Sequence, residues 1–142
     1  MRVIGIDLGV RSLHISSKAR CWSIIAPKTQ RSEELQFLAQ SLSETFHKDE
    51  IYAFVEEPVV AGARNIRTSL QMAQVCGVVL SALNGEVVPV STWKKAVVGK
   101  GNASKDEVKE WLFNSKRDFP ASAKQDHIDA TCIRIYGETV GH

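Results

Sequence analysis

Four carboxylates have the residue types and spacing to do chemistry: Asp7 in IGIDLG, Glu56 in AFVEE, and Asp126 and Asp129 in QDHIDA. Each closes an apolar run or opens a helix, and they come from distant parts of the chain. Gathered in one pocket they would repel one another unless divalent cations sat between them. An all-oxygen donor set of this kind suits Mg²⁺, a hard ion that shares its ligands with substrate phosphates. Two such ions about 3.5–4 Å apart can stabilise both the attacking and the leaving oxygen of an in-line displacement. In that arrangement Asp7 bridges the ions and the other three complete the two shells. The chemistry indicated is metal-dependent cleavage of a phosphodiester.

Each carboxylate also has a plainer explanation. Asp7 could cap the Leu8-Gly9 turn, although a charge ending so apolar a strand would be costly to bury without a partner or a metal. Glu56 and Glu57 could both face solvent before Pro58. Adjacent strand residues point to opposite faces, so one of the two is expected on the Asp7 side. Asp126 and Asp129 lie three apart and share a helix face. Acidic residues in a first turn also gain about 0.3–1 kcal/mol from the helix dipole. The apolar residues that follow them, Ala130 and Ile133, mark a packed helix, and buried carboxylates on such a helix fit a metal site better. His127, between the two aspartates, is a candidate phosphate contact or proton carrier, with a surface position as the default expectation.

Basic residues supply the substrate side. Lys94 and Lys105 are candidate phosphate contacts, and Lys100, Arg64 and Arg67 extend the candidate DNA-binding set. The glycines of VVGKGNAS allow a backbone to approach a phosphate closely, and the helix starting at Ser104 would add amide donors. The order GxxxxGK[ST] of a P-loop is absent. Against a phosphate-facing stripe, Asp106, Glu107 and Glu110 are interleaved with these lysines, as on an ordinary solvated helix. Trp93 is expected in the core.

The elements that must position these groups follow from periodicity and punctuation. Residues 2–7 read as a buried strand, and 11–17 and 21–26 as two more, making an antiparallel meander. A helical pattern begins at Ser32 and fades near His47. Residues 51–55 form a β-rich run stopped at Pro58. A long helix follows from about Ile66 to Leu83, with Leu70, Ala73, Gly77, Leu80 and Leu83 on one face. Residues 86–90 make a fifth strand. Thr92 is a candidate cap for a short helix carrying Trp93. Ser104, with Glu107 three residues on, is a capping box opening a helix to about Asn114. Asp126 opens a last helix containing Ala130, Ile133 and Tyr136.

Composition sets outer bounds. The 142 residues suit one domain spanning 1–142. No apolar run approaches the roughly 18 residues that a membrane span needs, and MRVIGIDLG lacks a signal peptide's layout. Cys21, Cys76 and Cys132 show no metal-ligand or CxxC spacing and read as ordinary thiols of a reducing cytosol. A net charge of +2 does not by itself announce a nucleic-acid partner.

Taken together, IGIDLG, FVEE, the helix reaching Gly77, WKKAVVGKGNASKDEV and QDHIDA resemble the RuvC family of Holliday-junction resolvases. The resemblance covers nearly the whole chain. It implies an α/β RNase H-like fold with a five-stranded mixed sheet, three antiparallel strands then parallel additions, flanked by helices. It further implies that Asp7, Glu56, Asp126 and Asp129 are the catalytic and metal-binding carboxylates, with Glu56 rather than Glu57 the family's glutamate. Lys94 and Lys105 match junction-contacting residues. Mg²⁺ is the implied cofactor (two ions per site, with Mn²⁺ a candidate substitute). The implied partners are branched DNA, especially four-way junctions, and a second copy of the chain, with cleavage leaving 5′-phosphate and 3′-hydroxyl ends.

Departures from the family pattern bear on selectivity. Pro58-Val59-Val60 stands where bacterial members carry an aromatic residue, a small insertion surrounds Gly62–Asn65, and the chain is shorter than typical bacterial members. These features resemble the phage-encoded branch of the family, with activity on several branched DNAs and a location in the host cytoplasm. The long helix 66–83 is the candidate dimer contact. The alternatives are an RNase H-fold nuclease acting on RNA or flaps, like the YqgF-like group, and a module that binds branched DNA without cutting it. IGIDLG also resembles the first phosphate motif of the actin, hexokinase and heat-shock ATPase group, but the second motif of that group is missing.

Overall fold

Alternation along the central strand decides which side of the sheet carries what. The computed structural model describes residues 1–58, 66–115 and 127–141. Strand β1 (Arg2–Leu8) sends Ile4, Ile6 and Leu8 to one face and Val3, Gly5 and Asp7 to the other. It pairs antiparallel with β2 (Ser12–Ser16), which pairs antiparallel with β3 (Cys21–Ile25). On its other edge β1 pairs parallel with β4 (Ile51–Glu56), which pairs parallel with β5 (Asn84–Val88). The five-stranded mixed sheet has the order β3-β2-β1-β4-β5, with three antiparallel strands and then parallel additions as the family resemblance implied.

Helices cover both faces. Helix α1 (Arg31–Thr45) and α2 (Ile66–Ala82) pack over one core built from Ile4, Ile6, Leu38, Leu42, Val55, Val75 and Val79. The opposite face holds Val3, Phe54, Val88 and Trp93 against α4 (Lys105–Asn114) and α5 (Ile128–Thr139). Between β5 and α4 the chain makes a short helix α3 (Val90–Trp93) and a wider π turn, Lys94–Val98. Gly99 ends that turn at φ 95°, a left-handed conformation in which a side chain would be strained, and its amide bonds the carbonyls of Lys94 and Lys95. The capping box of α4 forms as expected. The Ser104 hydroxyl accepts from the Glu107 amide at 3.1 Å and the Glu107 carboxylate accepts from the Ser104 amide at 3.1 Å.

Four expectations are corrected. The short helix α3 is opened by Pro89 rather than capped by Thr92, because the proline's fixed φ already starts the turn and its carbonyl accepts from the Thr92 amide. Strand β5 runs Asn84–Val88 rather than 86–90: Asn84 and Gly85, turn formers by type, pair with Tyr52 and Ala53, and Pro89 turns the chain into α3. Helix α1 begins at Arg31, one residue before the expected Ser32, and no side chain caps it. Finally, α2 buries Ser69, Val75, Cys76 and Val79, whereas Leu70, Ala73, Gly77 and Leu80 of the expected face are exposed. The helix is apolar around most of its circumference, so periodicity could not orient it. Leu83, just beyond the helix, is buried as expected. Among the described residues no helix is long and apolar enough to cross a membrane, and the three cysteines are buried and form no disulfide.

Candidate active site

The sheet's parity delivers two carboxylates to one place. Asp7 lies one residue from the C-terminal end of β1, and Glu56 ends the parallel neighbour β4, where Ile6 pairs with Val55. Asp7 and Glu56 are both on the α5 side, like Val3 and Phe54 two or more steps back along their strands. Glu57 follows the opposite parity. Its amide donates to the Val88 carbonyl at 2.9 Å, and its charge acts on Cys76 of α2, raising that thiol beyond what burial alone does. Asp7, Glu56, Glu57, Pro58, Met72 and Val90 line a cavity of about 260 Å³ at the carboxyl ends of β1 and β4. In open α/β sheets ligands enter at that edge.

Asp129 comes from the first turn of α5. That helix is held against β1 by two devices. Gly5 lets the backbones touch: a Cβ there would lie 2.1 Å from the Ala130 carbonyl oxygen. A buried polar cluster then fixes the helix against β2, with Thr131 Oγ1 donating to the His127 carbonyl at 2.7 Å and bonding Ser16 Oγ at 3.0 Å, and Arg134 Nε donating to Ser16 Oγ at 3.2 Å.

Electrostatics ties the members together. Burial pushes the Glu56 carboxyl above its ordinary range, and the charge of Asp129 pushes it further. The Trp93 indole, which donates to Glu56 Oε1 at 3.0 Å, and the Lys94 ammonium pull it back. Burial also raises Asp129, opposed by Lys94 and Lys105. Carboxylates raised by desolvation, one of them further by the charge of the other, are poised for positive charge. Burial, with Asp129 adding to it, drives the neighbouring Cys132 thiol up to about 12, so it stays an uncharged core group.

Of the sequence's candidates, Asp7 and Glu56 line this cavity, Asp129 and Lys94 act by charge on Glu56, and Lys94 and Lys105 act by charge on Asp129. Lys100 instead pairs with Glu107 at 3.2 Å on the surface. Arg67 lies exposed at the start of α2. Asp126 and Arg64 lie outside the described residues, as does the insertion around Gly62–Asn65. Among the described residues no three His, Cys, Asp or Glu side chains close on one point. The donor set nonetheless fits a hard divalent ion, because every member is a carboxylate, Glu56 and Asp129 are raised by burial, and only the Trp93 hydrogen bond and the nearby lysines oppose that strain.

Two features escaped the sequence reading. His127 is not at the surface: it is 4% exposed, and its Nε2 lies 3.0 Å from Ser23 Oγ. Ser23 Oγ in turn lies 2.7 Å from His14 Nδ1. His14 is the β2 partner of Asp7, so this chain of hydrogen bonds runs beside the carboxylates. The alternation His14, Ser16 in β2 and Cys21, Ser23 in β3 was the available signal, since it puts a polar row on the α5 face. Trp93 was expected in the core and is fully buried, but its hydrogen bond to Glu56 gives it a second task.

Comparison with known proteins gives a consistent answer. The family model described as crossover junction endodeoxyribonuclease RuvC matches residues 3–136. The Thermus thermophilus RuvC structure shares the fold at a TM-score of 0.71 and 18% identity, over 99% of this chain and 97% of that one. The T. thermophilus RuvC in complex with a Holliday junction substrate gives a TM-score of 0.68 at 18% identity, over 99% and 96% of the two chains. No curated protein sequence matches the chain.

Proposed function

This chain belongs to the crossover junction endodeoxyribonuclease RuvC family, and from that premise we propose that it resolves four-way DNA junctions by divalent-metal-dependent hydrolysis of phosphodiesters. The single observation that carries the site assignment is that Asp7 and Glu56 line one cavity at the carboxyl ends of β1 and β4, with Glu56 and Asp129 raised by burial and Glu56 further by the charge of Asp129. Asp126, three residues before Asp129 on the family motif, completes the proposed set. The ions proposed are two Mg²⁺, which when bound would neutralise the phosphate and activate the attacking water.

The chain's own residues do the rest. Trp93 fixes the rotamer of Glu56 through a hydrogen bond from a fully buried ring. Lys94 and Lys105, already acting on Asp129, supply positive charge for the phosphates flanking the scissile one. Ser23 and His14 hold the buried ring of His127, two residues before Asp129 in the chain, in one orientation.

Opposed cleavage of two strands calls for two sites, and we take the molecule to act as a homodimer. Supporting this, α2 leaves Ile66, Leu70 and Leu80 exposed at 48%, 58% and 38% around Gly77, which has nothing within 4 Å of a Cβ position. The site assignment is tested with Asp7→Asn, which should bind a synthetic four-way junction like the parent and leave it uncut. Near-parental cutting by that variant would contradict the assignment. A flap, a fork and an RNA junction assayed alongside report how relaxed the selectivity is.

A further inference from the structure

Helix α2 separates two clefts. Met72 lines the carboxylate cavity, while the adjacent Gln71 lines a larger cleft of about 570 Å³. Its other walls are the β1–β2 hairpin, at Val10 and Arg11, and the β3–α1 connection, at Lys28 and Thr29. Four cationic side chains, Arg11, Lys28, Arg31 and Arg67, meet there against one carboxylate, Glu34.

That carboxylate is already committed. Glu34 accepts from the Thr29 amide and from Arg31, both at 3.2 Å, and these bonds hold its carboxyl below the usual range. Arg31 is committed as well, donating to the Val10 carbonyl at 2.6 Å and to the Gln71 carbonyl and Gln74 Oε1 at 2.7 Å. It fastens the hairpin to α2 and so holds the cleft open in one shape. Arg11 donates to the Ala26 carbonyl. Lys28 and Arg67 are exposed and form no ion pair among the described residues. Three positive charges therefore remain in a braced, polar cleft.

We propose that this cleft is a second, non-catalytic phosphate site that takes a backbone phosphodiester of the DNA outside the scissile position, with Arg11, Lys28 and Arg67 as its cations. The inference rests on the nuclease reading and deepens it. Asp7 and Arg11 belong to one hairpin, and Met72 and Gln71 to one helix turn, so both clefts share their walls. A strand leaving the carboxylates across α2 reaches cations that are already in place. Arginine and lysine contacts of this kind fix register and direction without reading sequence. The angle between two arms is then sensed by whether both phosphates can be seated together.

The test is junction binding by fluorescence anisotropy over a salt series, in an Asp7→Asn background that prevents cutting. Removing one cation from a phosphate should flatten the slope of log affinity against log salt by about 0.9. Lys28→Ala should show one such decrement, and Lys28→Ala with Arg67→Ala two, with binding weakened about tenfold or more at fixed salt. Lys18→Ala with Arg20→Ala removes two charges at the opposite end of β1 and should leave the slope unchanged. Equal slopes for the cleft and control variants would overturn the proposal. It would also be overturned if inorganic phosphate raised the melting temperature of the parent but not of the cleft variant while both bound the junction equally, since the cleft would then serve a free anion. The nuclease reading fails separately, if the parent with intact Asp7 does not cut the junction.

Discussion

Gly5→Ala should disable the site without touching a carboxylate. The added Cβ would lie 2.1 Å from the Ala130 carbonyl oxygen, 2.5 Å from the Arg134 nitrogen and 3.0 Å from the Arg134 Cα. Ordinary contact begins at 3.4 Å, so α5 must retreat by 3.4 − 2.1 = 1.3 Å or β1 must bend by as much. All three obstacles are backbone, so no rotamer change can relieve them. Overpacking of this kind costs about 1–3 kcal/mol, and more where nothing can shift. At roughly 3–4 °C per kcal/mol for a chain of this size, the upper figure lowers the melting point by about 10 °C. Ala130 is next to Asp129, so the retreat is transmitted to the carboxylate pair, and a misplacement of about 1 Å can cost about 100-fold in rate. The assay is single-turnover cleavage of a four-way junction well below the variant's melting temperature, beside thermal unfolding by circular dichroism. A Gly5→Ala protein that melts and cleaves like the parent would refute the claim that β1–α5 contact sets the site's geometry.

Three further outcomes are expected. Trp93→Phe removes a hydrogen bond to a charged group, worth about 1.5–3 kcal/mol, and releases Glu56. Because that bond favours the charged carboxylate, its loss should move the acid limb of the pH–rate profile to higher pH, and an unmoved limb would deny Trp93 its positioning role. Glu56 and Asp129 are both raised in the folded state, so each favours folding below its unfolded value and loses that contribution as pH rises through the folded value. Asp129→Asn or Glu56→Gln should therefore raise the melting temperature of metal-free protein at pH 7, by about 0.5–2 kcal/mol of stability, while abolishing cleavage. No gain at pH 7 over pH 4 would contradict the burial argument. Leu70→Glu with Leu80→Glu, on the exposed face of α2, should yield a monomer by analytical ultracentrifugation that still folds, and a persistent dimer would place the contact elsewhere.

How much was legible in the sequence depended on what each residue answers to. Asp7 stood out because it ends a short apolar strand, and a strand's period of two put one of Glu56 and Glu57 on its side, but only the family resemblance chose Glu56. The Ser104–Glu107 capping box is local too, and it formed as read. The buried face of α2 was not legible, because Leu70 and Leu80 are as apolar as Val75 and Val79, and only the sheet's position chooses between them. His127 was misjudged for the same reason. Its burial comes from Ser23 and His14, more than a hundred positions away, and no helical spacing signals a contact of that range. The basic cleft likewise joins a hairpin, a connection and a helix that only the fold brings together. Asp126 and Arg64 rest on the sequence alone.

The measurement that tests the central claim most directly is cleavage of a fixed synthetic four-way junction by the parent chain, with Mg²⁺ and then with EDTA. Paired nicks on opposed strands, present with Mg²⁺ and absent with EDTA, are the expected result. An uncut junction in Mg²⁺, or cutting that survives EDTA, would contradict the account.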